Sequence, residues 1–248
     1  MTSSSPIRRA GRPALGQPFR LFCLPPAGAG PSIFYPWLDA AAPDIEVCPI
    51  ALPGREDRLR DPLPASIAEL ADALAPALAA ALDRPYAIVG YSMGALIGYE
   101  LARRWQSQRL RGPDLFVALA ARSPTLPLNR ETPLHRLGPV EFRQALVDIG
   151  GTPPELLDNR DAMSIFEPIL RNDLRISETY RPATIDPLEC PLHAIVSRDD
   201  ALMTEQDAGA WAACTRRGFH LQVLDGPHIL PRSAFMGVLQ AIADRWVR

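Results

Sequence analysis

Short apolar runs of strand length recur along this chain, separated by longer segments in which apolar residues return every three or four positions. The runs are Arg20–Leu24, Glu46–Leu52, Tyr86–Val89, Asp114–Ala121, Leu192–Ser197 and Phe219–Leu224, and each reads as a β-strand. Helical spacing fills the gaps at Phe34–Ala41, from Ser66 onward, and at Met93–Gln108, Thr204–Ala213 and Ser233–Val247. In the segment from Ser66, the residues Ile67, Leu70, Ala71, Leu74 and Leu78 share one face. Ser66 with Glu69 three residues on has the form of a capping box and marks that helix's start. Strands alternating with helices predict an α/β fold, a mostly parallel central sheet covered by helices on both faces.

Two stretches depart from the alternation. Residues 1–18 contain Ser, Pro and Arg without an apolar core and are expected to be a flexible tail before one domain over 19–248. From Arg122 to Asp186 no strand pattern occurs. Pro139–Ile149 is amphipathic, with Phe142, Ala145, Leu146 and Ile149 on one face, and Gly150-Gly151 terminates it. Asp161–Tyr180 is a second helical region that Pro168 is expected to divide. A crossover between parallel strands needs one helix, so a helical insertion over about 123–187 reads as a lid above a site.

The candidate chemistry sits where strands end. Ile88-Val89-Gly90-Tyr91-Ser92-Met93-Gly94-Ala95-Leu96 is Gly-x-Ser-x-Gly between a strand and a helix, the context that makes a nucleophile elbow. A serine hydroxyl is a weak nucleophile at neutral pH and needs an adjacent base. There are four histidines. His193 and His220 fall inside strands and read as structural, and His135 falls in the insertion. His228 follows the last strand and is the candidate base. Asp199 and Asp200 both follow the preceding strand and are the candidate acids. Serine, acid and histidine in that chain order match the α/β-hydrolase fold. The acid would hold the imidazole tautomer. Pro25-Pro26-Ala27-Gly28-Ala29-Gly30, after the first strand, places backbone N–H groups near a ligand, and the N–H groups of Ala27 and Met93 would cradle an oxyanion.

Composition removes other chemistries. All 26 basic residues are arginine, so a P-loop lysine, a Schiff-base lysine and a Ser–Lys pair are impossible. The formal net charge of −2 points to neither nucleic acid nor a membrane surface as partner. No apolar run approaches the length of a membrane span, and no secretory signal is visible at Met1–Gln17. Cys23, Cys48, Cys190 and Cys214 are far apart and read as reduced buried thiols, which suits the cytoplasm. No His/Cys/Asp/Glu cluster has metal-ligand spacing, so no metal or cofactor is expected.

Taken with the elbow, four further segments carry a resemblance. They are Phe22-Cys23-Leu24-Pro25-Pro26-Ala27-Gly28, Leu52-Pro53-Gly54-Arg55-Glu56, Ile149-Gly150-Gly151-Thr152-Pro153 and Gly226-Pro227-His228. From Phe22 to the C-terminus the chain resembles the type II thioesterases that serve polyketide synthases and nonribosomal peptide synthetases. The resemblance implies hydrolysis of wrong or stalled acyl groups from the phosphopantetheine thiol of acyl or peptidyl carrier proteins. It implies Ser92 as nucleophile, His228 as base, Asp200 rather than Asp199 as acid, and Ala27 and Met93 as oxyanion donors. Tyr91 and Pro26 stand where the family usually has histidine, and Ile229 where it has phenylalanine. About 18 residues before the first strand cannot hold a carrier domain, so the carrier is expected to be met in trans. Two other readings keep the fold: a chain-releasing cyclase, acyltransferase or small-molecule esterase, and a non-catalytic carrier-binding module.

Overall fold

The first strand, β1 (Phe19–Leu24), sends Leu21 and Cys23 to one side and Phe22 and Leu24 to the other, and all four are buried. This period-two division seeds two cores in the computed structural model, which describes Pro6, Ile7, residues 18–128 and residues 130–246. β1 is followed by α1 (Tyr35–Ala40), β2 (Ile45–Pro49), α2 (Ile67–Ala79), β3 (Tyr86–Tyr91), α3 (Met93–Ser107) and β4 (Leu115–Leu119). Then come α4 (Pro139–Ile149), α5 (Pro154–Asp158), α6 (Arg160–Glu178), β5 (Leu192–Ser197), α7 (Glu205–Gly209), β6 (Phe219–Leu224) and α8 (Arg232–Trp246). The sheet order is β2-β1-β3-β4-β5-β6, and every strand pair in it is parallel. All strands therefore end at one edge, where ligands bind in sheets of this type.

The two faces close differently. One core joins the sheet to α2 and α3 through Leu70, Leu74, Ile97 and Trp105. The other joins it to α1 and α8 through Trp37, Phe235, Val238 and Ile242. Trp37 stacks on Phe235 at 4.5 Å between ring centroids, and its indole N–H donates to the Phe235 carbonyl at 3.1 Å. The helices between β4 and β5 form a third, smaller core of Phe142, Leu146, Leu157 and Leu170.

Three expectations differ in detail. α6 runs unbroken from Arg160 to Glu178 with Pro168 inside it. Proline removes one helical N–H, but Leu170, Asp173 and Ile176 bury the face beyond it, and this packing keeps the helix whole. Ser66 does accept the Glu69 N–H at 3.0 Å, yet the Glu69 carboxylate accepts from Ala65 at 2.9 Å rather than from Ser66. A reciprocal capping box forms instead at Thr204 and Asp207, ahead of α7. The expected tail lies outside the described residues except at Pro6, Ile7 and Pro18. There Ile7 bridges Ile50 in antiparallel fashion and the Pro6 carbonyl accepts the Ala51 N–H at 2.8 Å. No helix among the described residues is long and apolar enough to cross a membrane.

His193 is buried in β5, with its ring 4.9 Å from that of His220 on β6. Burial first, then Arg245, pushes its pKa down to about 4. The unfolded chain therefore binds a proton that the folded chain refuses between about pH 6.5 and pH 4. Stability is full above pH 6.5 and falls by on the order of 3 kcal/mol as the pH drops through that window. His193→Leu is expected to flatten this slope in urea titrations at pH 7, 6 and 5.

Candidate active site

The elbow is built by close approach of backbone. Ser92 follows β3 at φ 51°, ψ −115° and precedes the first turn of α3, a strained conformation for a residue with a side chain. A Cβ at Gly90 would lie 2.3 Å from the Ala95 Cα, and one at Gly94 would lie 2.1 Å from the Leu24 carbonyl oxygen. Neither neighbour is a side chain that can give way, so both positions need glycine. The Ser92 N–H is held by the Leu119 carbonyl at 2.8 Å, which fixes the turn against β4.

The loops after β5 and β6 bring the other groups to Ser92. His228 Nε2 lies 3.0 Å from Ser92 Oγ, and His228 Nδ1 lies 2.7 Å from Asp200 Oδ2. The Asp200 side chain is fully buried, and its Oδ1 accepts the Leu202 N–H at 2.8 Å. A carboxylate only accepts, so it keeps the proton on Nδ1 and turns the Nε2 lone pair towards Ser92. Asp199, the alternative acid, is exposed. It reaches this region through its N–H, which bonds the Gly226 carbonyl at 3.1 Å. The other histidines stand apart: His193 and His220 pair in the sheet, and His135 Nδ1 contacts Glu178 at 2.6 Å.

Ala27 and Met93 flank the serine. Met93 opens α3, so its N–H is among those without an intrahelical acceptor. In the loop after β1, Pro25 and Pro26 carry no N–H, Gly28 donates to Asp173 and Ala29 donates to Pro26. The Ala27 N–H takes part in neither of these bonds, and Ala27 lines both cavities that Ser92 lines.

Those cavities leave Ser92 and His228 in different directions. One, of about 290 Å³, is partly polar, with Arg122, Ser177, Glu178 and Asp207 on its wall. The other, of about 210 Å³, is walled by Leu146, Ile149, Phe166, Leu170 and Ile229. A substrate with two arms joined at a reactive carbonyl fits a serine placed between two such spaces. No group of three or more His, Cys, Asp or Glu among the described residues could hold a metal ion.

One functional contact was not anticipated. The Tyr91 hydroxyl, buried next to the elbow, donates to the His228 carbonyl at 2.9 Å and accepts the Leu230 N–H at 2.6 Å. It pins the histidine loop from below, and burial pushes its pKa up. Phe235 supports the ring at 5.9 Å. Tyr91→Phe strands two buried backbone groups, so we expect a loss of about 1–3 kcal/mol of stability. Turnover should also fall several-fold at little-changed KM, read by denaturant unfolding and steady-state kinetics.

A parallel α/β sheet whose edge presents a strained serine, an imidazole and a buried carboxylate in one hydrogen-bonded line defines the serine-hydrolase class. Comparison with known proteins narrows this further. A family model described as the thioesterase domain matches residues 19–245. The gramicidin S biosynthesis protein GrsT of Aneurinibacillus migulanus is 34% identical over 209 residues, 84% of this chain and 81% of that protein. The type II thioesterase BorB from the borrelidin biosynthetic cluster superposes with a TM-score of 0.84 at 31% identity, covering 100% of this chain and 98% of BorB. The RedJ thioesterase from the prodiginine pathway in Streptomyces coelicolor gives a TM-score of 0.84 at 31% identity, covering 94% and 96%. The chain belongs to the thioesterase family, and it is a serine hydrolase that acts on thioesters.

Proposed function

We propose that this thioesterase clears acyl groups from the phosphopantetheine arm of acyl or peptidyl carrier proteins in a polyketide or nonribosomal peptide pathway. It meets the carrier in trans. The observation that carries this reading is the seat of Ser92 at the junction of an apolar and a partly polar cavity. The acyl chain takes the apolar space, and the amide-bearing pantetheine takes the polar one. Similarity to proteins of the gramicidin S, borrelidin and prodiginine pathways supports the pathway class.

In the proposed cycle, Ser92 Oγ attacks the thioester carbonyl while its proton passes to His228 Nε2. The carbonyl oxygen becomes an oxyanion, held by the Ala27 and Met93 N–H groups. The C–S bond breaks and His228 returns the proton to the departing thiolate. Water, deprotonated by His228, then attacks the acyl-enzyme, the C–Oγ bond breaks, and Ser92 recovers its proton as the acid leaves. Asp200 stabilises the imidazolium in both steps. These groups supply the whole cycle, so no cofactor is required. The helical insertion over about 123–187 acts as lid and acyl-pocket wall. Four buried free thiols among the described residues suit a reducing cytoplasm.

The test compares one short acyl group presented on a carrier's phosphopantetheine, on N-acetylcysteamine and as an oxygen ester. A strong preference for the carrier thioester supports the editing role. Equal or better turnover of the oxygen ester would move the assignment to a general esterase.

A further inference from the structure

The loop that offers Ala27 is held by an ion pair remote in sequence from it. Arg55 donates to Asp173 twice, Nη1 to Oδ2 at 2.5 Å and Nη2 to Oδ1 at 3.0 Å, and the Asp173 side chain is fully buried. The same Oδ2 accepts the Gly28 N–H at 2.8 Å, and Arg55 Nη1 also reaches the Ala29 carbonyl at 3.4 Å. The remaining guanidinium donors, Nε and Nη2, are anchored on the Pro53 carbonyl at 3.0 and 2.9 Å. Glu56, next in the chain, accepts from the Ser32 N–H and hydroxyl at 3.3 and 2.7 Å. The Leu52-Pro53-Gly54-Arg55-Glu56 segment thus grips the Ala27–Ser32 stretch at both ends.

Asp173 belongs to α6, the helix whose Phe166, Leu170 and Leu174 wall the apolar cavity. Gly28 is pressed against that wall: its φ is +74°, and a Cβ there would lie 2.9 Å from Leu170. Fixing the Gly28 N–H sets the peptide plane on the far side of the Ala27 Cα. With the Gly28 N–H committed to Asp173 and the Ala29 N–H to Pro26, the Ala27 N–H is a loop donor that these bonds leave uncommitted.

We propose that Arg55 and Asp173 are positioning residues that hold the Ala27 N–H in its oxyanion-binding orientation and tie it to the acyl-cavity wall. The assignment rests on the reading of Ser92 as nucleophile and of Ala27 as an oxyanion donor. Neither residue lines either of the cavities that meet at Ser92. Their effect belongs to the transition state, where the oxyanion exists, and not to the ground state, where it does not.

The test uses Arg55→Lys and the double variant Arg55→Gln/Asp173→Asn. Lysine keeps the charge but loses the two-pronged geometry. The double variant removes both charges, so neither is left buried alone. Each is measured for kcat and KM on an acyl-pantetheine thioester. Each is also measured for binding an acyl trifluoromethyl ketone, which forms a tetrahedral adduct, and a thioether analogue, which cannot react. Loss of one oxyanion donor costs on the order of 10²-fold in kcat, and the double variant is expected to approach that. Affinity for the ketone should fall in parallel, with KM and thioether affinity nearly unchanged, and Arg55→Lys should fall between. Unchanged kcat in the double variant overturns the proposal, as does an equal loss for ketone and thioether. If Arg55→Lys alone folds, the same ketone-to-thioether ratio decides. Ser92→Ala run alongside separates the two levels. An active Ser92→Ala removes the underlying reading, whereas an inactive Ser92→Ala with an unaltered double variant removes only this inference.

Discussion

Ser92→Ala will leave a folded protein whose thioester turnover has dropped by on the order of 10⁴- to 10⁶-fold. The change deletes one oxygen at a residue whose φ of 51° is imposed by the elbow. Alanine accepts the same backbone with no larger side chain, and the Ser92 N–H to Leu119 bond of 2.8 Å does not involve the hydroxyl. Fold and both cavities persist, while the covalent route is lost. Binding of an unreactive thioether analogue should stay within about threefold, because the ground state uses the cavities rather than the nucleophile. Residual hydrolysis would come from the oxyanion donors acting on water. Single-turnover assays on an acylated carrier read the loss directly, and retention of more than a few per cent of activity would identify a different nucleophile.

Much of this site was legible from order alone, for a physical reason. In a parallel sheet all strands end at the same edge, so groups placed just after β3, β5 and β6 must converge although 108 and 136 residues separate Asp200 and His228 from Ser92 in the sequence. The strands themselves are short apolar runs, which a period of two exposes. What escaped is contact that no local period encodes. Arg55 and Asp173 are 118 positions apart, and one of them lies on an amphipathic helix where an aspartate ordinarily faces water. Asp173 instead faces inward because Arg55 and the Gly28 N–H meet it there. In the sequence Tyr91 stands out only as a departure from the family's histidine. Its hydroxyl role depends on the return of the His228 loop, 137 residues later. Pro168 reads locally as a break because the lost N–H is a local cost, whereas the packing that keeps α6 whole comes from elsewhere in the fold.

Asp200→Asn should cost about 10⁴-fold in kcat, and Asp199→Asn almost nothing. The asparagine is nearly isosteric, so the fold is kept. Its two ends differ, however. With the amide nitrogen towards His228, the ring must accept at Nδ1, which moves its proton to Nε2 and faces Ser92 Oγ with a donor instead of a base. With the amide oxygen towards His228, the NH₂ group meets the Leu202 N–H that now bonds Oδ1 at 2.8 Å, setting two donors against each other in a buried place. Either orientation penalises the tautomer that can take the serine proton. Asp199 is exposed and contributes its backbone N–H to the loop, so the same substitution there leaves the histidine unaffected. The rate of Ser92 labelling by a fluorophosphonate, compared across the two variants and the parent, separates these roles without needing a natural substrate. Slow labelling in the Asp200 variant alone fits the proposed triad, whereas comparable slowing in both would mean that the loop, and not one carboxylate, governs the imidazole.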